Sequence, residues 1–164
     1  MDSGKVQIYY GDGRGKSAAA LGYALQAASA GKNVFIIQFL KGRMAEESAF
    51  LQRLEPEIKV FHFEKSDERY DELSEQEKLE ENRNLRNGVN FARKVLLNDE
   101  CSLLVLDELL GVIDNKVAAK EDIQALFEAK AEETEMIITG RNLPDDIRRL
   151  ADEVYQMQAE KTAG

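Results

Sequence analysis

The chain has 164 residues, 43% of them hydrophobic and 32% charged, with a formal net charge of −9. That length suits one domain, residues 1–164, with a core that needs no staples. The negative charge excludes a nonspecific nucleic-acid or anionic-membrane surface, which would repel it. Cys101 is the single cysteine, so no intrachain disulfide can form, as suits a reducing compartment. No run approaches membrane-spanning length and Met1–Lys5 leads into no apolar signal core, so a cytoplasmic protein is expected.

In chain order, Val6–Tyr9 reads as a strand and Ser17–Ala30 as an Ala-rich helix closed by Gly31. Val34–Phe39 and Lys59–Phe63 are the next strands. The strongly charged run Glu64–Glu81 reads as a solvated loop and helix start. Within it, Ser74-Glu75-Gln76-Glu77 is a capping box that opens a long helix toward Asn98. Leu85, Val89, Ala92 and Leu96 make that helix's apolar stripe. Then come strand Leu103–Leu106, a helix marked by Ile123, Leu126 and Phe127, and strand Met136–Ile138. Pro144 starts a short helix through Ile147 and Leu150, and Val154–Met157 is the last strand. Several strands are continuous apolar runs, as expected when both faces are covered. Repeated β-α units predict a three-layer α/β fold with a mostly parallel sheet of about six strands and right-handed crossovers.

Between the first strand and the first helix lies Gly11-Asp12-Gly13-Arg14-Gly15-Lys16-Ser17. Glycines let a backbone curl so that several N–H groups face an anion, and the helix N-terminus adds partial positive charge. Lys16 adds a full charge, and the Ser17 hydroxyl suits Mg²⁺. The usual phosphate loop has four residues between its first Gly and the Gly-Lys pair. Gly11 to Gly15 encloses three, and Tyr10 stands where the usual first Gly would be. A glycine-rich turn without a ligand is the plain alternative.

Leu103-Leu104-Val105-Leu106-Asp107-Glu108 is an apolar strand ending in two carboxylates. In an open parallel sheet ligands gather at the carboxyl ends of strands, so Asp107 and Glu108 can converge with the glycine loop and place a carboxylate near Mg²⁺. Gln38-Phe39-Leu40-Lys41-Gly42-Arg43 and Thr139-Gly140-Arg141 follow other strands and bring cations to the same edge. Acidic strand ends and surface cations also occur without any ligand.

Taken in order, the glycine loop, Gln38-Phe39-Leu40-Lys41-Gly42, Leu106-Asp107-Glu108-Leu109, Thr139-Gly140-Arg141 and Leu150-Ala151-Asp152 resemble the ATP:corrinoid adenosyltransferases. The similarity runs over nearly the whole chain and includes the three-residue loop spacing. The family's loop is commonly Gly-Asn-Gly-Lys-Gly-Lys-Thr, so Asp12, Arg14 and Ser17 are modest departures. The resemblance implies a RecA-like fold and transfer of the 5′-deoxyadenosyl group of ATP to Co(I) of a corrinoid, with tripolyphosphate leaving. ATP then lies reversed in the loop, with its 5′ carbon toward cobalt. It further implies that Gly11 through Ser17, Lys41 and Arg141 hold ATP, and that Ser17 and Glu108 hold Mg²⁺ with Asp107 nearby. The cobalt is the nucleophile, so no side chain plays that part.

Phe61-His62-Phe63-Glu64 falls where the family often has Phe-Thr-Trp-Glu, which implies that Phe61 and Phe63 face the corrin and keep cobalt's lower axial position empty. His62 is the only histidine, and strand alternation turns it away from both Phe residues rather than toward cobalt. The family's N-terminal segment and Lys- and Gly-containing tail find no counterpart here. Corrinoid closure is therefore expected from the Glu64–Glu81 run or a second subunit in a homodimer, with a reductase or flavodoxin as partner. Two other readings stay open: a P-loop ATPase or kinase acting at phosphorus, and a non-catalytic ATP- or corrinoid-binding protein.

Overall fold

The computed structural model describes residues 3–42 and 49–163. Its strands are β1 (Val6–Tyr10), β2 (Val34–Gln38), β3 (Ile58–His62), β4 (Leu103–Asp107), β5 (Glu135–Gly140) and β6 (Glu153–Gln156). They form one sheet in the order β3-β2-β4-β5-β1-β6, with every pair parallel. The sheet is thus parallel throughout its described strands, and each strand expected from the sequence is present to within one or two residues.

Burial on both faces explains the continuous apolar runs. Leu103 through Leu106 are each at most 1% exposed. One face, including Ile8, Ile37, Leu104 and Ile138, lies under α2 (Glu75–Leu97) and α4 (Lys120–Ala129). The other, including Val34, Ile36, Val105 and Ile137, lies under α1 (Lys16–Ser29). Two shorter α-helices are α3 (Leu109–Asp114) and α5 (Asp145–Arg148).

Helix α1 turns Ala20, Ala24 and Ala27 to the sheet, and these short side chains let its axis lie close to the strands. It ends in a Schellman motif: Gly31 has φ +89°, its N–H donates to Ala28 O at 3.0 Å, and Lys32 N–H donates to Ala27 O at 3.0 Å. At the start of α2 the Ser74 N–H donates to Glu77 Oε1 at 3.0 Å, and Glu77 N–H to Ser74 Oγ at 3.2 Å. The stripe Leu85, Val89, Ala92 and Leu96 is buried as its spacing predicts, joined by Val95. Each such Leu or Val contributes about 1.5–3 kcal/mol on burial. Pro144 sits at the N-cap of α5 instead of inside it, with ψ 143°. Its ring fixes φ and leaves ψ free to be extended.

The charged run 64–81 departs from the solvated loop its composition predicts. Glu64, Tyr70, Leu73 and Glu81 are all buried. Glu81 accepts the N–H groups of Lys65 and Ser66 at 3.1 and 3.3 Å, and Glu64 Oε1 accepts Leu40 N–H at 2.6 Å. Two of the carboxylates are inner anchors for backbone donors. The residues between them, among them Asp67, Glu68, Arg69, Asp71 and Glu72, face water.

Candidate nucleotide site

Register gathers the site. Gln38 of β2 lies opposite Asp107 of β4, and Tyr10 of β1 opposite Gly140 of β5. The segments that follow these four strands therefore leave the sheet at one edge, its carboxyl edge. Strand β5 stands between β1 and β4, so Thr139 sits between the glycine loop and the acidic strand end.

The loop is tied down at several points. Gly11 has φ +118° and donates its N–H to Gly140 O and Arg141 O at 3.2 and 3.0 Å. Gly15, with φ +104°, is the N-cap of α1, and a left-handed turn there is easiest for glycine. Lys16 Nζ donates to Gly11 O and Gly13 O, each at 2.7 Å, and so lies across its own loop. Asp12 and Arg14 are exposed. Arg141 Nε lies 3.4 Å from Asp12 Oδ1, on the solvent side of the lip.

Beneath the loop, Asp107 is the hub. Its Oδ1 accepts Ser17 Oγ–H at 2.7 Å and Thr139 Oγ1–H at 2.8 Å, and its Oδ2 pairs with Lys41 Nζ. Lys41 also donates to Ser17 Oγ at 3.1 Å. Asp107 is 3% exposed, so its charge is stabilised by these partners rather than by water. Glu108 has φ +67°, an uncommon conformation for a residue with a Cβ and one that clusters at functional sites. Its N–H donates to Thr139 Oγ1 at 2.8 Å. Burial, with the neighbouring Asp107 charge adding to it, raises the Glu108 carboxyl above its ordinary range.

Two cavities open on this cluster. One of about 230 Å³ lies between α1 and the sheet, walled by Ala20, Leu21, Ile36, Val60 and Val105, with Ser17, Lys41 and Asp107 at its polar end. The other, about 240 Å³, carries Lys16, Arg69, Arg141 and Glu108 in its wall. Arg69 was not singled out by the sequence, because one arginine in a charged run carries no signal. Thr139 and Glu64 were visible only as members of motifs, with no role.

Phe61 and Phe63 lie apart from the loop. Their rings pack against Phe91 of α2 at 4.8 and 5.3 Å, and Phe61 also meets Phe35 at 5.1 Å. Phe63 and His62 line a third cavity, of about 310 Å³, with Glu64 and Lys65. Arg43 lies outside the described residues.

A phosphate loop and an acid-tipped strand, meeting at the carboxyl edge of a parallel sheet, define a P-loop nucleotide-binding α/β protein. Solved structures share that RecA-like fold. The flagellar accessory protein FlaH of Methanocaldococcus jannaschii superposes with a TM-score of 0.65 over 100% of this chain and 75% of that one, at 13% identity. A KaiC-like protein of Pyrococcus horikoshii gives 0.62 over 97% and 75%, at 17% identity.

Sequence narrows the class to a family. Residues 2–163 match the profile of the ATP:corrinoid adenosyltransferases BtuR/CobO/CobP. The corrinoid adenosyltransferase of Escherichia coli K12 is 31% identical over 163 residues, 99% of this chain and 80% of that protein. Its namesake CobA of Salmonella typhimurium is 28% identical over 167 residues, with 99% and 80% covered. The chain belongs to the ATP:corrinoid adenosyltransferase family, enzymes of cobalamin biosynthesis whose substrates are ATP and a corrinoid. The kinase and non-catalytic readings give way to this one.

Proposed function

We propose that the carboxyl-edge site holds the triphosphate of ATP on Gly11–Ser17, with Lys16, Lys41 and Arg141 supplying positive charge. The observation that carries this reading is the Ser17–Asp107–Lys41 cluster directly beneath the N-terminus of α1. The first amides of a helix have no intrahelical acceptor and carry its positive dipole end. An ammonium already pairs with Asp107, so that carboxylate is built to face a cation. Ser17 and Asp107 are hard oxygen donors 2.7 Å apart. They suit Mg²⁺, which takes other ligands from phosphate and water, and Glu108 is the adjacent carboxylate. When bound, Mg²⁺ would neutralise charge on the departing tripolyphosphate.

In the transfer, the Co(I) electron pair forms the Co–C bond to the 5′ carbon while the C5′–O bond breaks and its electrons leave with tripolyphosphate. The chain's part is to hold the carbon in line and stabilise the leaving group. Phe61 and Phe63 would face the corrinoid, and a reductase or flavodoxin would supply the electron that makes Co(I). We place the reaction in the cytoplasm, with a homodimer as the working assembly.

The test is anaerobic mixing of protein, ATP, Mg²⁺ and chemically reduced cob(I)alamin, followed by Co(I) absorbance. Protein-dependent decay to a light-sensitive alkylcobalamin with tripolyphosphate released is expected. Orthophosphate released without corrinoid would mark chemistry at phosphorus instead.

A further inference from the structure

We propose that Glu64 is a positioning residue for the ATP site, fixing Lys41 through the backbone of Leu40. The inference rests on reading the Ser17–Lys41–Asp107 cluster as the triphosphate site.

Lys41 stands between two residues in the left-handed region, Leu40 at φ +69° and Gly42 at φ +72°. Leucine rarely holds such a conformation without support from its surroundings. Here the support comes from one segment. Leu40 N–H donates to Glu64 Oε1 at 2.6 Å, and Leu40 O accepts Tyr70 N–H at 3.1 Å. On the other side, a Cβ on Gly42 would stand 2.4 Å from Glu68 O. The peptides flanking Lys41 are thus gripped by residues 64–70, and its ammonium reaches Ser17 Oγ and Asp107 from that fixed base.

Glu64 is an unusual choice for a plain backbone clamp. It is 5% exposed, and its second oxygen, Oε2, is buried without a hydrogen-bond partner among the described residues. Burying a carboxylate with half its acceptor capacity unused is unfavourable for folding. Its short bond to Leu40 N–H is charge-assisted when the acid is ionised, and stronger than a neutral one. The segment that starts at Glu64 is anchored in turn by Glu81, which accepts Lys65 and Ser66 N–H. The geometry therefore couples the end of β3 to the loop after β2, and through it to the phosphate site.

The experiment measures ATP dissociation constants by calorimetry, and KM for each substrate with Co(I) corrinoid. Glu64→Ala is expected to weaken ATP binding about ten-fold, the scale of one lost charge-assisted hydrogen bond, with corrinoid KM unchanged. Glu64→Gln keeps a carbonyl oxygen for Leu40 N–H and should restore most of the affinity. In the Lys41→Ala background, Glu64→Ala should add nothing, because the residue through which it acts is gone. Should Glu64→Ala not fold, Glu64→Asp, one methylene too short to reach Leu40, carries the same cycle. Additive losses, unchanged ATP affinity, or a loss confined to corrinoid KM would each overturn the inference. If Lys41→Ala alone binds ATP as tightly as the wild type, the reading of the site itself fails instead.

Discussion

The N–H of Gly13 donates to Met157 O at 2.9 Å, tying the glycine loop to the chain just beyond the last strand. An added Cβ on Gly13 would meet the Met157 carbonyl carbon and oxygen at 2.8 Å. Backbone on both sides leaves nothing flexible to yield. Gly13→Ala should therefore destabilise the fold by about 1–3 kcal/mol. Gly22, inside α1, has open space where its Cβ would go, so Gly22→Ala should stabilise by roughly 0.5–1 kcal/mol. Opposite shifts in urea midpoint for the two variants check the assignment; equal shifts would contradict it.

Lys16 spans its own loop by bonding Gly11 O and Gly13 O. Lys16→Ala should cost about 10- to 100-fold in ATP affinity, the range for hydrogen bonds to a charged group, and nearly abolish turnover. Calorimetry with ATP gives the first figure and the cob(I)alamin assay the second. Full activity in this variant would remove the phosphate-loop assignment.

Thr139 donates to Asp107 Oδ1 and accepts Glu108 N–H. Thr139→Val keeps the volume and deletes both bonds, leaving the Glu108 N–H without its acceptor and Asp107 Oδ1 with only the Ser17 hydroxyl. A stability loss of about 1–3 kcal/mol is expected, together with a higher Mg²⁺ requirement as Asp107 and Glu108 lose their common brace. An Mg²⁺ titration of the rate identical to that of the wild type would confine Thr139 to packing.

Phe61 is half-buried between Phe35 and Phe91. Phe61→Ala should cost about 2 kcal/mol, less than a fully buried Phe, and should spare ATP affinity. The rate with Co(II) corrinoid plus reductant should fall further than the rate with preformed Co(I). Equal losses under the two conditions would mean that the ring serves packing alone.

Burial lifts the Glu64 carboxyl from its ordinary 4.5 to about 7, with the Glu81 charge adding to the shift and the Leu40 and Gly42 N–H groups and Arg69 opposing it. A raised carboxyl favours the fold when protonated. Its contribution is fully present below pH 4.5 and is lost as pH rises through 7. Relative to Glu64→Gln, the wild type should lose stability across that window with a slope of up to about 1.4 kcal/mol per pH unit. Urea unfolding of both proteins from pH 5 to 8 measures the slope, and parallel curves would return Glu64 to the ordinary range.

Much of this protein was legible in its residues because the signals are local. Strand runs such as Leu103–Leu106, the Ser74–Glu77 capping box and the α2 stripe depend on neighbours within a turn or two, and they form where their spacing puts them. So does the Gly-rich turn into α1, and its ordered partners pointed to the family. The sequence by itself determined the six strands, the helices α1, α2, α4 and α5, the parallel α/β class and the family; α3, only six residues long, is too short to show a period and came from the structure. Tertiary structure alone decided which polar groups meet. Strand order sets Thr139 of β5 beside Asp107 of β4, although more than thirty residues separate the two along the chain. It also turned the Glu64 and Glu81 carboxylates inward, where charge counting puts them in water. Burial and hydrogen-bond partnership depend on the packing of distant segments, and no local pattern encodes that.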